Sequence, residues 1–199
     1  MSVRRVFLAG EGRHELGGFA DDPPYRSAEP VGVLRALLER CADTSTTLEI
    51  AGARRWKDIR KFRAGGHASA EARAVVGLHV DAVEHGCAVL AFVRDTDGDT
   101  QRAADIDDGL ALARARFPTV EAIGGVAVQS LDAWGLALAG QRRTEALKPA
   151  AAKAALDANG TGSTEARAQA VREADLDALP DDAASLAAFI DRARAVLAP

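Results

Sequence analysis

The chain has 199 residues, of which 48% are hydrophobic and only 5% aromatic, and it carries a formal net charge of −4. This length and composition are typical of one globular domain, with or without an appendage, and exclude a disordered chain. The small negative charge provides no overall attraction to nucleic acid or to an acidic membrane, although it permits a local basic patch.

The chain contains no segment of the roughly 18 apolar residues that a membrane span requires. The apolar run at residues 6–9, which follows Arg4 and Arg5, is too short for a signal peptide. The two cysteines, Cys41 and Cys87, are far apart and match no zinc-binding pattern. We therefore expect a soluble cytoplasmic protein with two free thiols.

Strands and helices alternate over the first two thirds of the chain. Apolar runs and alternating β-branched residues predict strands over residues 3–9, 46–52, 87–93 and 120–129. Apolar residues spaced three and four apart predict helices over residues 29–41, 69–86, 101–116 and 130–140. This alternation predicts an α/β fold with a parallel four-stranded sheet and helices on both faces.

Residues 141–199 break this alternation because they are rich in alanine and contain only helical patterns. A flexible break is expected at residues 159–163, and Pro180 precedes a last predicted helix over residues 182–197. We therefore divide the chain into a domain over residues 1–140 and a helical C-terminal extension over residues 141–199. The extension is a candidate surface for a protein partner.

Acidic side chains follow three of the predicted strands, at Glu11, Glu15, Asp95, Asp97, Asp99 and Asp132. The carboxyl ends of parallel strands lie at one edge of a sheet, which is where ligands bind in such folds. Converging carboxylates repel one another, and a hard cation such as Mg²⁺ or Mn²⁺ removes that cost. We expect these six residues to hold two metal ions, an arrangement that activates water against a phosphodiester.

Simpler explanations exist for some of these acids, and other motifs can be excluded. Asp99 can cap the following helix, and Asp132 can lie in the first turn of its own helix. An EF-hand is excluded because Thr100 and Ile106 occupy the loop positions that require glycine and glutamate. The dinucleotide-binding fingerprint is excluded because Glu15 occupies the position of its third glycine.

The order of these motifs resembles a known family over about residues 3–140. Glu11 in "GEGRHE", followed by Asp95 and Asp97 in "DTD", resembles the Toprim domain of topoisomerases, DnaG-type primases and OLD-family nucleases. The second glutamate, Glu15, is more similar to the OLD-type nucleases. The stretch "VAVQSLDAWGLAL", with Asp132 in place of the usual glutamate, resembles the bacterial Toprim-like family called domain of unknown function 4276.

The resemblance implies a Toprim-like, Rossmann-like fold and a metal-dependent nuclease that acts on DNA or RNA. It implies catalytic roles for Glu11, Asp95 and Asp97, with Glu15 and Asp132 as ligands of a second metal site. Small proteins of this kind resemble effectors of phage defence or toxin-like modules. This likeness implies a partner that activates or inhibits the protein, such as an ATPase, because the chain contains no ATPase module of its own.

Residues 54–63 are the most basic stretch of the chain, with six basic residues and one acid interleaved with Trp56, Ile59 and Phe62. Cationic side chains neutralise phosphates, and aromatic rings stack on bases. The residues that we expect to bind nucleic acid are Arg54, Arg55, Lys57, Arg60, Lys61 and Arg63. The spacing of three between the apolar residues also favours an amphipathic helix that buries them and exposes a basic face.

Two other functions fit parts of the sequence. The stretch "DTDGDT" resembles the DxDGT motif of haloacid-dehalogenase-like phosphatases, but Asp99 interrupts its Gly-Thr pair, and the motif gives Glu11 no role. A non-catalytic, partner-binding subunit is the other alternative. Such a subunit would use the helical extension and would be as stable without metal as with it.

Overall fold

The computed structural model describes residues 2–20, 30–60, 62 and 68–198. Within these residues the protein has an α/β fold with a four-stranded parallel sheet and eight α-helices. This agrees with the fold class that the alternating pattern predicts. In the same part of the chain, each helix is too short or too polar to cross a membrane.

The main sheet consists of β1 (Ser2–Gly10), β2 (Thr46–Arg55), β3 (Val89–Phe92) and β5 (Glu121–Ile123). Two short strands, β4 (Arg94–Asp95) and β6 (Val126–Ala127), follow β3 and β5 and pair with each other in parallel. The strand order of the main sheet is β2-β1-β3-β5, and every neighbouring pair is parallel. All four predicted strands are therefore present.

The eight α-helices of the described residues are α1 (Arg13–Leu16), α2 (Val33–Cys41), α3 (Ala70–Glu84), α4 (Thr100–Arg116), α5 (Leu131–Leu138), α6 (Pro149–Ala158), α7 (Thr164–Glu173) and α8 (Ala184–Leu197). The four helices predicted within residues 1–140 correspond to α2, α3, α4 and α5. Ser69 caps α3, because its side chain accepts a hydrogen bond from the backbone N–H of Ala72 at 3.1 Å.

Alternate residues of β1 belong to two separate hydrophobic clusters, one on each face of the sheet. Val6 and Leu8 pack in the larger cluster with α2, α5, α7 and α8. Phe7 and Ala9 pack in the smaller cluster with α3 and α4. All four side chains are fully buried. The sheet is therefore covered by helices on both faces, which explains why its central strand is continuously apolar.

Two helices of residues 141–199, α7 and α8, also belong to the larger cluster, through residues such as Val171 and Phe189. Helix α8 contacts α2, β5 and β6, and α7 contacts α1, α2 and α5. The predicted extension is therefore helical and packs directly on the sheet domain. The division of the chain into two units at residue 140 remains a prediction.

The strand order also determines where a ligand can approach the sheet. In the sheet, β1 lies between β2 and β3. The chain therefore runs from β1 to the strand on one side of it, β2, and then crosses to the strand on its other side, β3. In parallel sheets, this reversal leaves a crevice outside the carboxyl ends of the two strands concerned. Glu11 directly follows β1, and Asp95 lies just beyond β3. Both residues are therefore at the crevice.

Candidate active site

Glu11 joins the ends of β1 and β4 across the crevice. Its Oε1 accepts a hydrogen bond from the backbone N–H of Asp95 at 3.2 Å, and the same carboxylate is paired with the Arg94 guanidinium. Arg94 also donates to Oε1 of Glu71, on α3, at 3.1 Å. The guanidinium lies over the ring of Trp56, with Cζ 5.3 Å from the ring centroid. Glu11 is thus held beside Asp95 by one arginine.

Glu15 lies in α1 and is buried, with only 8% of its surface exposed. Its Oε2 accepts a hydrogen bond from the backbone N–H of Gly12 at 2.8 Å. Its close approach to β1 depends on Gly10, because a Cβ atom at residue 10 would lie 2.6 Å from the Glu15 Cβ. Burial raises the pKa of Glu15, and the negative charge of Glu11 adds to this effect.

Asp95 is half-buried in β4, and its Oδ1 accepts a hydrogen bond from the backbone N–H of Leu131 at 2.9 Å. Burial raises the pKa of Asp95 to about 8, and the charges of Glu11 and Glu15 contribute in the same direction. The side chain therefore keeps its proton to a higher pH than an exposed aspartate does. The crevice thus contains more negative charge than its own donors compensate.

We call Glu11, Glu15 and Asp95 the crevice carboxylates. Oxygen ligands of this kind are those that Mg²⁺ and Mn²⁺ prefer in proteins. Within the described residues, no three His, Cys, Asp or Glu side chains are arranged so that they could hold a metal ion together. In the crevice, Glu11 is turned toward Arg94 instead. A cation site therefore requires Glu11 to exchange this partner.

Asp97 lies on a tight turn, where its side chain has a partner other than the crevice carboxylates. Asp97 and Gly98 both have positive φ angles, 52° and 79°, which short polar residues and glycine tolerate best. The Asp97 side chain is mostly exposed and pairs with Arg102 at 2.8 Å. Its charge still contributes to the raised pKa of Asp95, as the smallest of the causes.

Asp99 and Asp132 have structural partners as well. Asp99 caps α4, because its side chain accepts hydrogen bonds from backbone N–H groups in the first helical turn at 2.9 Å and 3.3 Å. Asp132 lies in the first turn of α5 and pairs with Arg167, whose side chain is only 4% exposed. We call Asp97, Asp99 and Asp132 the paired aspartates, since each has partners outside the crevice.

The extension supplies the partner of Asp132, and local sequence patterns did not indicate it. Arg167 belongs to α7 and lies 35 residues after Asp132 in the chain. The same helix places the Thr164 hydroxyl 3.1 Å from Nδ1 of His14. Burial and the charge of Arg167 lower the pKa of His14. Helix α7 therefore covers one side of the site.

Over residues 54–60, the part of the basic stretch that the structure describes continuously, the chain does not form the amphipathic helix that its spacing favours. β2 continues through Arg55, because it pairs with β1 along its whole length, and a 3-10 helix follows at Trp56–Asp58. Arg54 makes two hydrogen bonds to the buried Asp81, at 3.1 Å and 3.2 Å. Arg55 pairs with Asp58 at 2.7 Å. These two arginines are therefore already engaged within the protein.

The remaining predicted nucleic-acid ligands lie near the end of β2. Lys57 and Arg60 are exposed, whereas Lys61 and Arg63 lie outside the described residues. The last residue of β2 pairs with the last residue of β1, immediately before Glu11. The exposed cations therefore follow a strand that ends beside the crevice carboxylates.

Sequence reasoning missed Glu71 and Arg94, which connect the basic stretch to the crevice. Glu71 accepts a hydrogen bond from Nε1 of Trp56 at 2.9 Å, and it lies 3.5 Å from Nε of Arg102. The available signal was the position of Arg94, a single cation between an apolar strand and the first aspartate. The Arg94 guanidinium lies among acidic side chains and neutralises part of their negative charge.

Compared with known proteins, the chain matches no protein-family model, no curated protein and no solved structure. The resemblance to the Toprim domain therefore remains a prediction from short motifs. The case for a function depends on the crevice carboxylates, on their surroundings and on their position at the end of the sheet.

Proposed function

We propose that this protein is a metal-dependent nuclease with a Toprim-like domain, which hydrolyses phosphodiester bonds of DNA or RNA. The observation that carries the proposal is the contact between Glu11 and Asp95 in the crevice, together with the raised pKa of Asp95. Carboxylates in such a site ionise together only when a cation neutralises them. The likeness of the motifs to OLD-type nucleases supports the same activity.

The crevice carboxylates fit Mg²⁺ or Mn²⁺ because all three offer oxygen ligands, and because burial leaves the charge of Glu15 and Asp95 poorly compensated. Glu11, Glu15 and Asp95 would hold the ion. When bound, such an ion polarises the phosphate and makes water more acidic. A second ion, which we also predicted, would require Asp97 or Asp132 to leave its arginine.

Residues of the chain would contribute the remaining chemistry. Asp95 would ionise when a cation neutralises the crevice, and its carboxylate would then hold the ion and accept a hydrogen bond from the attacking water. Arg94 would become available to a substrate phosphate once Glu11 exchanges its partner, and arginine binds phosphate with paired hydrogen bonds. Lys57 and Arg60, which are exposed, would hold the neighbouring backbone. A role in phage defence or as a toxin-like effector remains a prediction from the resemblance.

A cleavage assay tests this proposal. Plasmid, single-stranded DNA and tRNA are incubated with the protein and Mg²⁺, Mn²⁺ or EDTA. We expect metal-dependent cleavage that Asp95→Asn reduces by about 100-fold or more, because the variant loses a charged ligand of the cation. Asp108→Asn, the same change at an exposed position of α4, is the matched control and is expected to cleave normally.

Three results would contradict the proposal. The first is cleavage that persists in EDTA or in Asp95→Asn, which would indicate a contaminating or different activity. The second is hydrolysis of a phosphomonoester with no cleavage of nucleic acid, which would favour the phosphatase alternative. The third is neither cleavage nor stabilisation by metal, which would favour the partner-binding subunit.

A further inference from the structure

A cavity of about 190 Å³ lies beside the crevice, between the end of β2 and the first turns of α3. Its polar and aromatic lining comes from Trp56, Lys57, Glu71 and Arg94, with Ile59 and Ala74 as apolar lining. The volume is below the roughly 300 Å³ at which pockets for drug-sized ligands begin. It is therefore suited to one planar ring rather than to a whole nucleotide.

The ring of Trp56 is held in place on several sides. Its Nε1–H donates to Oε2 of Glu71 at 2.9 Å, and its centroid lies 5.8 Å from that of the buried Phe92. The Arg94 guanidinium lies over the ring. An aromatic side chain that is already fixed loses little conformational freedom when a ligand stacks on it. Trp56 therefore offers a fixed ring at the cavity, and the face that Arg94 covers becomes open to stacking when the guanidinium turns to an adjoining phosphate.

The cavity is also connected to the crevice by a single side chain. Arg94 lines the cavity and, through the same guanidinium, pairs with Glu11. Lys57 adds a second positive charge at the cavity. A ligand with a planar ring and a neighbouring phosphate would therefore meet a tryptophan, two cations and the crevice carboxylates in succession. These are the chemical features of a nucleotide within a strand.

We infer that the cavity takes one unpaired base of a single-stranded nucleic acid, which stacks against Trp56 while the adjoining phosphate lies at Arg94 and the crevice. This inference rests on the proposed nuclease function and narrows its substrate class. A base in a duplex is stacked and paired, so it cannot enter a cavity of this size without being extruded. The protein therefore selects single strands, loops or frayed ends.

Binding measured in EDTA, where no cleavage occurs, tests the inference. Fluorescence anisotropy compares a labelled oligo-dT strand, an all-abasic phosphodiester strand of the same length and the corresponding duplex. We expect wild-type protein to bind oligo-dT about five- to a hundredfold more tightly than the abasic strand, which is the range for one stacked base. Trp56→Leu is expected to lose this preference, and Trp56→Phe to retain most of it. Thermal unfolding checks that both variants fold.

Two results would overturn the inference even if the variants were unstable, because both are measured on wild-type protein. One is equal affinity for the abasic and oligo-dT strands, and the other is tighter binding of the duplex. The cleavage assay tests the nuclease proposal independently of this binding measurement. Cleavage without a preference for bases would overturn this inference alone, whereas a preference for bases without metal-dependent cleavage would overturn the nuclease proposal alone.

Discussion

The crevice carboxylates and the paired aspartates all follow strands of the same sheet, but they differ in what compensates their charge. Each paired aspartate has an arginine or the N-terminus of a helix as its partner. Among the crevice carboxylates, Glu15 and Asp95 accept hydrogen bonds from backbone N–H groups and have raised pKa values, whereas Glu11 shares the Arg94 guanidinium with Glu71. Poorly compensated charge thus separates Glu15 and Asp95 from the paired aspartates, and Glu11 joins them only when it exchanges Arg94 for a ligand.

The largest expected effect on stability comes from removing the charge of one paired aspartate, Asp132. Asp132→Asn leaves the charge of Arg167 buried without its partner, so we expect the free energy of unfolding to fall by about 3–5 kcal/mol. The double variant Asp132→Asn/Arg167→Met is expected to recover much of this loss, because an apolar replacement of a buried pair is often neutral. Chemical denaturation measures both. Loss of cleavage at unchanged stability would instead make Asp132 a metal ligand.

Asp95→Asn is expected to change stability in the opposite direction. Between about pH 4 and pH 8, the folded protein binds the Asp95 proton more tightly than the unfolded chain does, so the folded state loses stability as pH rises. Each unit by which the pKa of Asp95 is raised corresponds to about 1.4 kcal/mol of lost stability, and relaxation of the crevice reduces this loss. We therefore expect the free energy of unfolding of Asp95→Asn to exceed that of the wild type by roughly 2–3 kcal/mol at pH 8. Near pH 4 the gain is expected to vanish.

Denaturant unfolding of wild type and Asp95→Asn across this pH range measures the effect. The two stability curves are expected to diverge as pH rises, and addition of Mg²⁺ at pH 8 is expected to stabilise the wild type alone. Parallel curves would show that the Asp95 carboxyl has an ordinary pKa and that the negative charge of the crevice is already compensated.

The smallest expected effect concerns the helix cap. Asp99→Ala removes the side chain that accepts two N–H groups of α4, and we expect a loss of about 1 kcal/mol in the free energy of unfolding. Asp99→Ser, which retains a capping oxygen, is expected to recover most of it. Urea midpoints measure both variants. If Asp99→Ala lost cleavage while its stability was unchanged, Asp99 would belong with the crevice carboxylates.

Local patterns predicted the strands, the main helices and the edge of the sheet where the acids lie, because hydrophobic periodicity and parallel topology are sufficient for these. They offered the cap position of Asp99 and the first-turn position of Asp132 as alternatives to metal binding, and the structure shows both, but they did not identify the arginine partners of Asp97 and Asp132. The partner of Asp132 is an arginine whose burial depends on the packing of α7 against α2, and no local spacing encodes that contact. Likewise, the apolar spacing in residues 54–63 favours a helix, but Arg54 and Arg55 are extended because they pair with β1.

Helix α8 is the last helix in chain order, yet its residues Phe189 and Leu197 share one hydrophobic cluster with Val6 and Leu8 of the first strand. Contacts between such distant parts of a chain form slowly. During synthesis on the ribosome, this face of the sheet is therefore only partly covered, by α2, α5 and α7, until α8 has emerged, and the apolar surface left exposed is open to aggregation or to chaperones. Completion of the fold, and with it any activity of the crevice, is thus delayed until translation of this helix is finished.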